Sequence, residues 1–419
     1  MLGYWGDAMW IRWLDGVFRR FIRQGTLHVT YPDGTTRHYG AGQPDVTMHL
    51  RHPALPRRLV LNPYLALGEA WMDGTLRIDG DDLHGLLEIA TRNRETGVPG
   101  RVASARLALR KAWRIAQQFN PSTRARRNVA HHYDLSGELY DLFLDADRQY
   151  SCGYFPQPDI SLEEAQASKK ALIAAKLRLK PGMRVLDIGC GWGGMALTLA
   201  RDHGVDVLGI TLSQEQLKRA RERAAEAGLA DRVRFDLTDY RRVEGRFDRI
   251  VSVGMFEHVG TPHFRTYFRT VNRLLEDDGL ALIHSIGRAA PPGTTNPWVA
   301  KYIFPGGYVP ALSEVMAAIE KEALWPCDIE VLRLHYAETL RHWHDRFMAN
   351  ADRARTLYDD RFVRMWRFYL VASEQGFRHG RMCVFQLQLG RRLDAAPITR
   401  DYLLAPAALQ AVEHKEAAE

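Results

Sequence analysis

Val185-Leu-Asp-Ile-Gly-Cys-Gly-Trp-Gly-Gly194 is the stretch on which the fold turns. A short β-prone run ends on an acid, opens into glycines, and leads into the helical pattern of Met195–His203. That reads as a strand, a loop through which backbone can approach a ligand, and a helix start. No Gly-Lys-Ser/Thr follows, so a phosphate-gripping Walker loop is excluded, and the GxGxGG spacing departs from the GxGxxG of dinucleotide sites. Outward from this loop the pattern alternates. Strands are expected at Arg184–Ile188, Asp206–Ile210, Val233–Leu237, Phe247–Val253 and Leu280–Ser285, with helices at Met195–His203, Ser213–Ala227 and 263–275. Such alternation predicts a parallel sheet with helices on both faces, and Ile329–Leu334 and Val384–Leu389 are expected to extend it antiparallel at an edge.

In an open α/β sheet, ligands bind beyond the carboxyl ends of the strands, so Gly189 and Gly191 are the expected close contacts. An acid, Asp187, followed by GxGxG resembles the first motif of Rossmann-like methyltransferases that use S-adenosylmethionine. The second strand ends Gly209-Ile-Thr-Leu-Ser213, without the carboxylate commonly found there. Thr211 and Gln216 are candidates to bind the ligand instead, with helix capping as the plainer reading. After the third strand, Asp239-Tyr240 offers an acid and an aromatic face for adenine. The fourth, Ile250–Gly260, runs apolar and then presents Glu257 and His258. Either a solvated loop or a reaction centre begins there.

Composition narrows the partners. The chain has 419 residues, enough for two domains or three, and 57 Lys plus Arg against 50 Asp plus Glu give a net charge of +7. An anionic partner is expected. The charge concentrates in Arg101, Arg106, Arg110, Lys111, Arg114, Arg124, Arg126 and Arg127, interleaved with apolar residues such as Trp113 and Phe119. This predicts a basic amphipathic linker helix, either solvated or facing an anionic membrane. Cys152, Cys190, Cys327 and Cys383 have neither zinc nor disulfide spacing. With no leader pattern and no spanning segment, a cytoplasmic protein is expected. Residues 1–100 read as a small mixed α/β domain with strands near Thr26–Tyr31 and Thr75–Ile78 and a turn at Asp33-Gly34. In His131-His132-Tyr133-Asp134 the adjacent histidines do not share a helix face, so no metal is expected, and Tyr133 is expected to help close the cofactor pocket.

Further motifs accumulate in order: Tyr150-Ser-Cys-Gly-Tyr-Phe155, Val253-Gly-Met-Phe-Glu-His-Val-Gly260, His284-Ser-Ile-Gly287, Lys301-Tyr-Ile-Phe-Pro-Gly306 and Tyr336-Ala-Glu-Thr-Leu340. With the glycine loop and Gly209–Ser213 they resemble the cyclopropane-fatty-acid synthases. Leu67-Gly-Glu-Ala-Trp-Met-Asp-Gly74 resembles the N-terminal domain of the phospholipid-acting members. The resemblance implies a doubly wound, mostly parallel seven-stranded class I methyltransferase domain at 128–395. A domain at 1–100 and a linker at 101–127 precede it, and a tail at 396–419 follows. It implies methyl transfer from S-adenosylmethionine to a cis double bond in a phospholipid acyl chain, then ring closure. Tyr150, Ser151, Gly189, Gly191, Gly193, Thr211, Leu212, Gln216 and Tyr240 would line the cofactor site, with Asp187 and Asp239 added from the residue reading. Cys152, Glu257, His284, Ile286 and Tyr336 would hold a bicarbonate ion.

Spacing alone nominates Glu257 or His284 as the base that takes a proton from the transferred methyl. The resemblance instead gives that proton to bicarbonate, with Glu257 and the anion sharing a proton. His284 is the expected partner of Glu257, and His258 is left to orient Glu257 or cap the next helix. Trp298, Tyr302, Ile303 and Phe304 form either ordinary core or a wall of the acyl channel. Peripheral attachment at the inner membrane face and a homodimer are also implied. The competing readings are a related methyltransferase that leaves a methyl or methylene branch or methylates an amine, and a basic nucleic-acid-binding protein, for which no motif is present.

Overall fold

The computed structural model of the chain describes residues 2–94 and 137–403. Residues 2–94 carry a four-stranded sheet of β1 (Gly25–Thr30), β2 (Thr36–Ala41), β3 (Asp45–Leu50) and β4 (Leu76–Ile78), in the order β2-β1-β3-β4. β1 alternates buried and half-buried residues, as a strand with one covered face should. The β1–β2 turn falls at Asp33-Gly34, where Gly34 takes φ +83° and the Thr35 N–H donates to Asp33 Oδ1 at 3.0 Å. Helices Leu2–Phe21, Leu55–Leu61, Pro63–Met72 and Leu83–Arg94 accompany the sheet.

The second sheet has seven strands: β5 (Arg184–Ile188), β6 (Asp206–Thr211), β7 (Val233–Leu237), β8 (Phe247–Val253), β9 (Leu275–Arg288), β10 (Trp325–Leu332) and β11 (Met382–Gly390). Their order is β10-β11-β9-β8-β5-β6-β7, with β5 through β9 parallel and β11 antiparallel to both of its neighbours. The chain runs outward from β5 to β7 and then returns to β8 on the other side. β5 and β8 therefore flank the switch point, where parallel α/β sheets open a crevice. Two expectations shift. β9 starts at Leu275, ahead of the expected Leu280, and the last strand enters inside the sheet, leaving β10 as the edge.

The two sheets are joined through helix Pro63–Met72, and the motif Leu67–Gly74 explains itself there. Gly68 leaves room for the Trp298 indole: a Cβ at Gly68 would meet that ring at 2.5 Å. Glu69 accepts from Lys301 Nζ at 2.7 Å and Tyr302 Oη at 2.9 Å. Trp71 Nε1 donates to Arg364 O at 3.0 Å while Arg364 Nε donates to Trp71 O at 2.6 Å, and Arg361 pairs with Asp73 at 2.9 Å. Trp298 thus belongs to the joint between the sheets. The expected basic linker, the His131–Asp134 run with Tyr133, and most of the C-terminal tail lie outside the described residues. Among those described, no helix is long and apolar enough to cross a membrane.

Candidate active site

A cleft opens at the switch point. Gly189 and Gly191 from the loop after β5, Thr211, Leu212 and Gln216 after β6, and Thr238–Arg241 after β7 line one side. Gly254, Met255, His258 and Val259, just past β8, line the other. Four segments converge because four parallel strands end together. Where β6 ends without a carboxylate, Thr211 Oγ1 donates to Gln216 Oε1 at 2.8 Å, and Ser213 caps the next helix by accepting from Gln216 N at 3.3 Å. Hydroxyl and amide groups, already mutually oriented, occupy the position of the missing acid.

Some expected cofactor residues sit elsewhere. Gly193 is a helix N-cap with φ +83°, and a Cβ there would meet the Phe235 ring at 2.7 Å and Ala220 at 3.1 Å, so it serves the core. Gly191 has φ +54° and open space around its α-carbon. The two glycines therefore separate by substitution. Gly193→Ala is expected to cost roughly 2–4 kcal/mol of stability through strain and overpacking. Gly191→Ala is expected to cost about 1 kcal/mol for its backbone but to weaken S-adenosylhomocysteine binding roughly tenfold or more, since its methyl enters the cleft. Denaturant titration and calorimetry on both variants check this.

Asp239 does line the cleft, but its oxygens are taken by Arg241 Nε and Nη2 at 2.8 and 2.6 Å. Burial pushes its carboxyl up, and the Arg241 bonds outweigh this and hold it low. Asp187 ends β5 fully buried, with Oδ2 unpartnered among the described residues, and burial pushes it up to about 7. Ser151 Oγ accepts from the buried Lys169 Nζ at 2.8 Å, and Tyr150 stacks on Trp343 at 5.1 Å with its hydroxyl 2.9 Å from that of Tyr369. Neither lines the cleft.

The reaction-centre candidates fall beside it. Glu257 lies in a 3₁₀ turn, Phe256–His258, directly after β8, between the cleft residues Met255 and His258. Its Oε1 accepts from Ile286 N at 2.6 Å; its Oε2 is buried and has no partner among the described residues. Burial lifts this carboxyl to about 7 against the lowering bond from Ile286. His284, buried on β9, has Nδ1 3.1 Å from Gln386 Nε2, and burial first, then the charges of Lys169 and Lys176, pushes it down to about 3. The Glu257 bond from β9 thus comes from the backbone two residues beyond His284, the expected partner. Cys152 is buried, and burial raises its thiol far above the ordinary range. The Gly153 N–H after it donates to Thr339 Oγ1 at 3.0 Å, on the helix that carries Tyr336.

His258 acquires a place that its sequence context did not announce. It lines the cleft, burial pushes it down to about 4, and neither following helical segment takes a side-chain cap. From it, rings pass contact along to Tyr336. His258 lies 6.1 Å from Phe304, Phe304 lies 6.0 Å from Tyr369, Tyr369 bonds Tyr150, Tyr150 stacks on Trp343, and Trp343 meets Tyr336 at 5.7 Å. Phe304 is the second ring of this series, and Trp298 lies outside it, packed on Phe368.

Comparison with known proteins agrees with this arrangement. Residues 120–387 match the mycolic acid cyclopropane synthetase family, and residues 14–99 match a domain of unknown function. The chain is 37% identical over 363 residues to the cyclopropane-fatty-acyl-phospholipid synthase of Escherichia coli strain K12, covering 84% of this chain and 90% of that protein. It is 35% identical over 390 residues to the tuberculostearic acid methyltransferase UfaA1 of Mycobacterium tuberculosis, covering 90% of each. The solved structure of mycolic acid cyclopropane synthase CmaA1, complexed with SAH and CTAB, aligns with a TM-score of 0.60 at 33% identity. That alignment spans 65% of this chain and 99% of the other.

Proposed function

From membership of the mycolic acid cyclopropane synthetase family, to which this chain belongs, we propose that it transfers a methylene unit from S-adenosylmethionine to a cis double bond of a phospholipid acyl chain. Glu257 is the observation that carries the reading. A buried carboxyl, with one oxygen bound and the other without a partner among the described residues, stands between residues that line the cleft.

An alkene loses no proton before it attacks a sulfonium methyl, so the first step asks for alignment and exclusion of water. Attack releases S-adenosylhomocysteine and leaves positive charge on the acyl chain. Phe304, next to the cleft residue His258, is the ring proposed to face that charge. A proton must then leave the transferred methyl, and the electrons of that C–H bond close the ring. Bicarbonate, when bound, supplies the base for this proton. The residues fit such an anion: Glu257, lifted to about 7, is partly protonated at neutral pH and can share its proton with the anion, and the neutral His284 has one ring nitrogen to donate. Cys152, Tyr336 and Ile286 complete the proposed set.

Attachment to anionic bilayers belongs to the same proposal. On helix Leu2–Phe21, Met9, Trp13 and Val17 are 44%, 57% and 46% exposed at four-residue spacing, while Ile11 and Leu14 are buried on the opposite face. Exposed Arg12 and Arg20 flank the outward stripe. An apolar stripe edged with arginine suits the interface of an anionic bilayer. Trp13→Glu is expected to reduce activity on anionic vesicles roughly tenfold and to leave activity on detergent-dispersed lipid intact. Equal loss on both substrates removes the surface from the proposal. The proposed homodimer is read from the mass of the chain in solution.

Incubation with labelled S-adenosylmethionine and unsaturated phospholipid should place one CH2 and no remaining double bond in the acyl chain. The relative named tuberculostearic acid methyltransferase favours a second reading, a branched product. A methyl or methylene branch in the same assay selects it, and unlabelled lipid overturns both.

A further inference from the structure

We propose that Gln386 and Lys176 are positioning residues that lock His284 in the tautomer with its proton on Nε2, so that the imidazole serves the site as a donor and never as its base. The role in the reaction rests on the lipid methyl-transfer reading above; the tautomer rests on geometry alone.

The locking groups form one row. In the β10–β11 and β11–β9 registers, Glu330 lies opposite Gln386, and Gln386 lies opposite His284. Directly opposite residues put their side chains on one face of the sheet. Helix Leu162–Leu177 brings Lys176 to this row, with its side chain 1% exposed. Lys176 Nζ donates to Glu330 Oε2 and, at 2.7 Å, to Gln386 Oε1. Gln388, one turn of the pleat further along β11, donates through Nε2 to Lys176 O at 2.6 Å and fixes the end of that helix.

The chemistry of each group then leaves no choice. An ammonium has donors and no acceptor, so the amide oxygen of Gln386 must face Lys176. Turning the amide over would set its NH2 against the ammonium. The NH2 therefore faces His284 Nδ1 at 3.1 Å. An NH2 only donates, so Nδ1 must offer a lone pair. A neutral imidazole with a lone pair on Nδ1 carries its proton on Nε2. An imidazolium is disfavoured by the same contact, because its Nδ1–H would meet the amide hydrogens. Burial and the two lysines act in the same direction. With Nε2 already protonated, His284 cannot accept the proton that leaves the transferred methyl. It can hold an anion that does.

The test reads the tautomer directly. Long-range proton–nitrogen correlation on the full chain labelled with 15N-histidine, with His284 assigned from the signal lost in His284→Asn, should show Nδ1 unprotonated and Nε2 protonated. Gln386→Glu keeps an acceptor for Lys176 but replaces the NH2 by a carboxylate oxygen. The ring should then turn to the Nδ1–H form, and kcat should fall by roughly a hundredfold or more with KM for S-adenosylmethionine little changed. Gln386→Met, which imposes no tautomer, should give a mixture and an intermediate kcat, and it carries the test if the Glu variant does not fold. A protonated Nδ1 in the unmodified chain overturns the proposal. So does full kcat in a Gln386→Glu chain whose tautomer has switched. Because the tautomer is read without substrate, a failure to label lipid would overturn the proposed reaction and leave this assignment standing.

Discussion

Glu257→Gln is expected to lower turnover on unsaturated phospholipid by at least about a thousandfold while S-adenosylhomocysteine binds within about twofold of its usual affinity. The amide keeps an oxygen for the Ile286 N–H and keeps the volume of the side chain, and Glu257 itself does not line the cofactor cleft. What is lost is a carboxyl proton beside the site. The same variant should be more stable than the parent at alkaline pH. A carboxyl at about 7 when folded, against an ordinary 4.5, binds its proton more tightly in the folded state. The parent therefore loses stability as pH rises from about 4.5 to about 7 and carries the full penalty above that. The difference should be near zero at pH 4 and reach on the order of 3 kcal/mol by pH 8. Asp187, also raised to about 7, contributes the same slope to both chains and cancels. Calorimetric binding, product analysis and denaturant titration across pH read the three parts, and retained turnover removes Glu257 from the chemistry.

What the sequence made legible here is what local pattern controls. β5, β7 and β8 fall where short apolar runs meet glycine or a turn. Gly189, Gly191, Thr211, Leu212, Gln216 and Tyr240 line the cleft because each follows a parallel strand, and strand ends are local features. The start of β9 was hidden because Glu276-Asp277-Asp278-Gly279 has the composition of a turn, yet the strand continues through it, with an irregular register against β8. Lys169 and Lys176 lie on a helix that no motif singled out. Both are buried, because their partners arrive from distant strands and loops; Lys176 and Gln386 lie 210 positions apart. Asp239 lines the cleft as expected, and its partner Arg241, only two residues away, is a local feature that the motif reading passed over. The motifs therefore located the site, while the charges that tune it came from tertiary structure.

Trp298→Ala should produce the largest structural effect. The indole is 1% exposed, donates through Nε1 to Met72 Sδ at 3.2 Å, and packs against Phe368 at 4.8 Å and Tyr302 at 5.6 Å. Removing it leaves a cavity at the joint between the sheets, at a cost of about 3–5 kcal/mol. The ion pairs around it, such as Lys301–Glu69 and Arg361–Asp73, add about 1 kcal/mol or less each, so the joint rests on buried apolar contacts such as those of the indole. Gly68→Val attacks the same joint from the other side by driving a side chain into the ring. If the joint couples the two units, one thermal transition should separate into two in either variant. S-adenosylhomocysteine binding should persist, since no cleft residue is touched. Activity on vesicles should fall far more than binding does, because the N-terminal unit that carries the exposed Met9-Trp13-Val17 face would no longer be fixed to the catalytic unit. A single transition with unchanged vesicle activity would mean that the joint is only packing. Two transitions with intact cofactor binding would instead make Trp298 the wedge through which the N-terminal unit presents a lipid surface to the site.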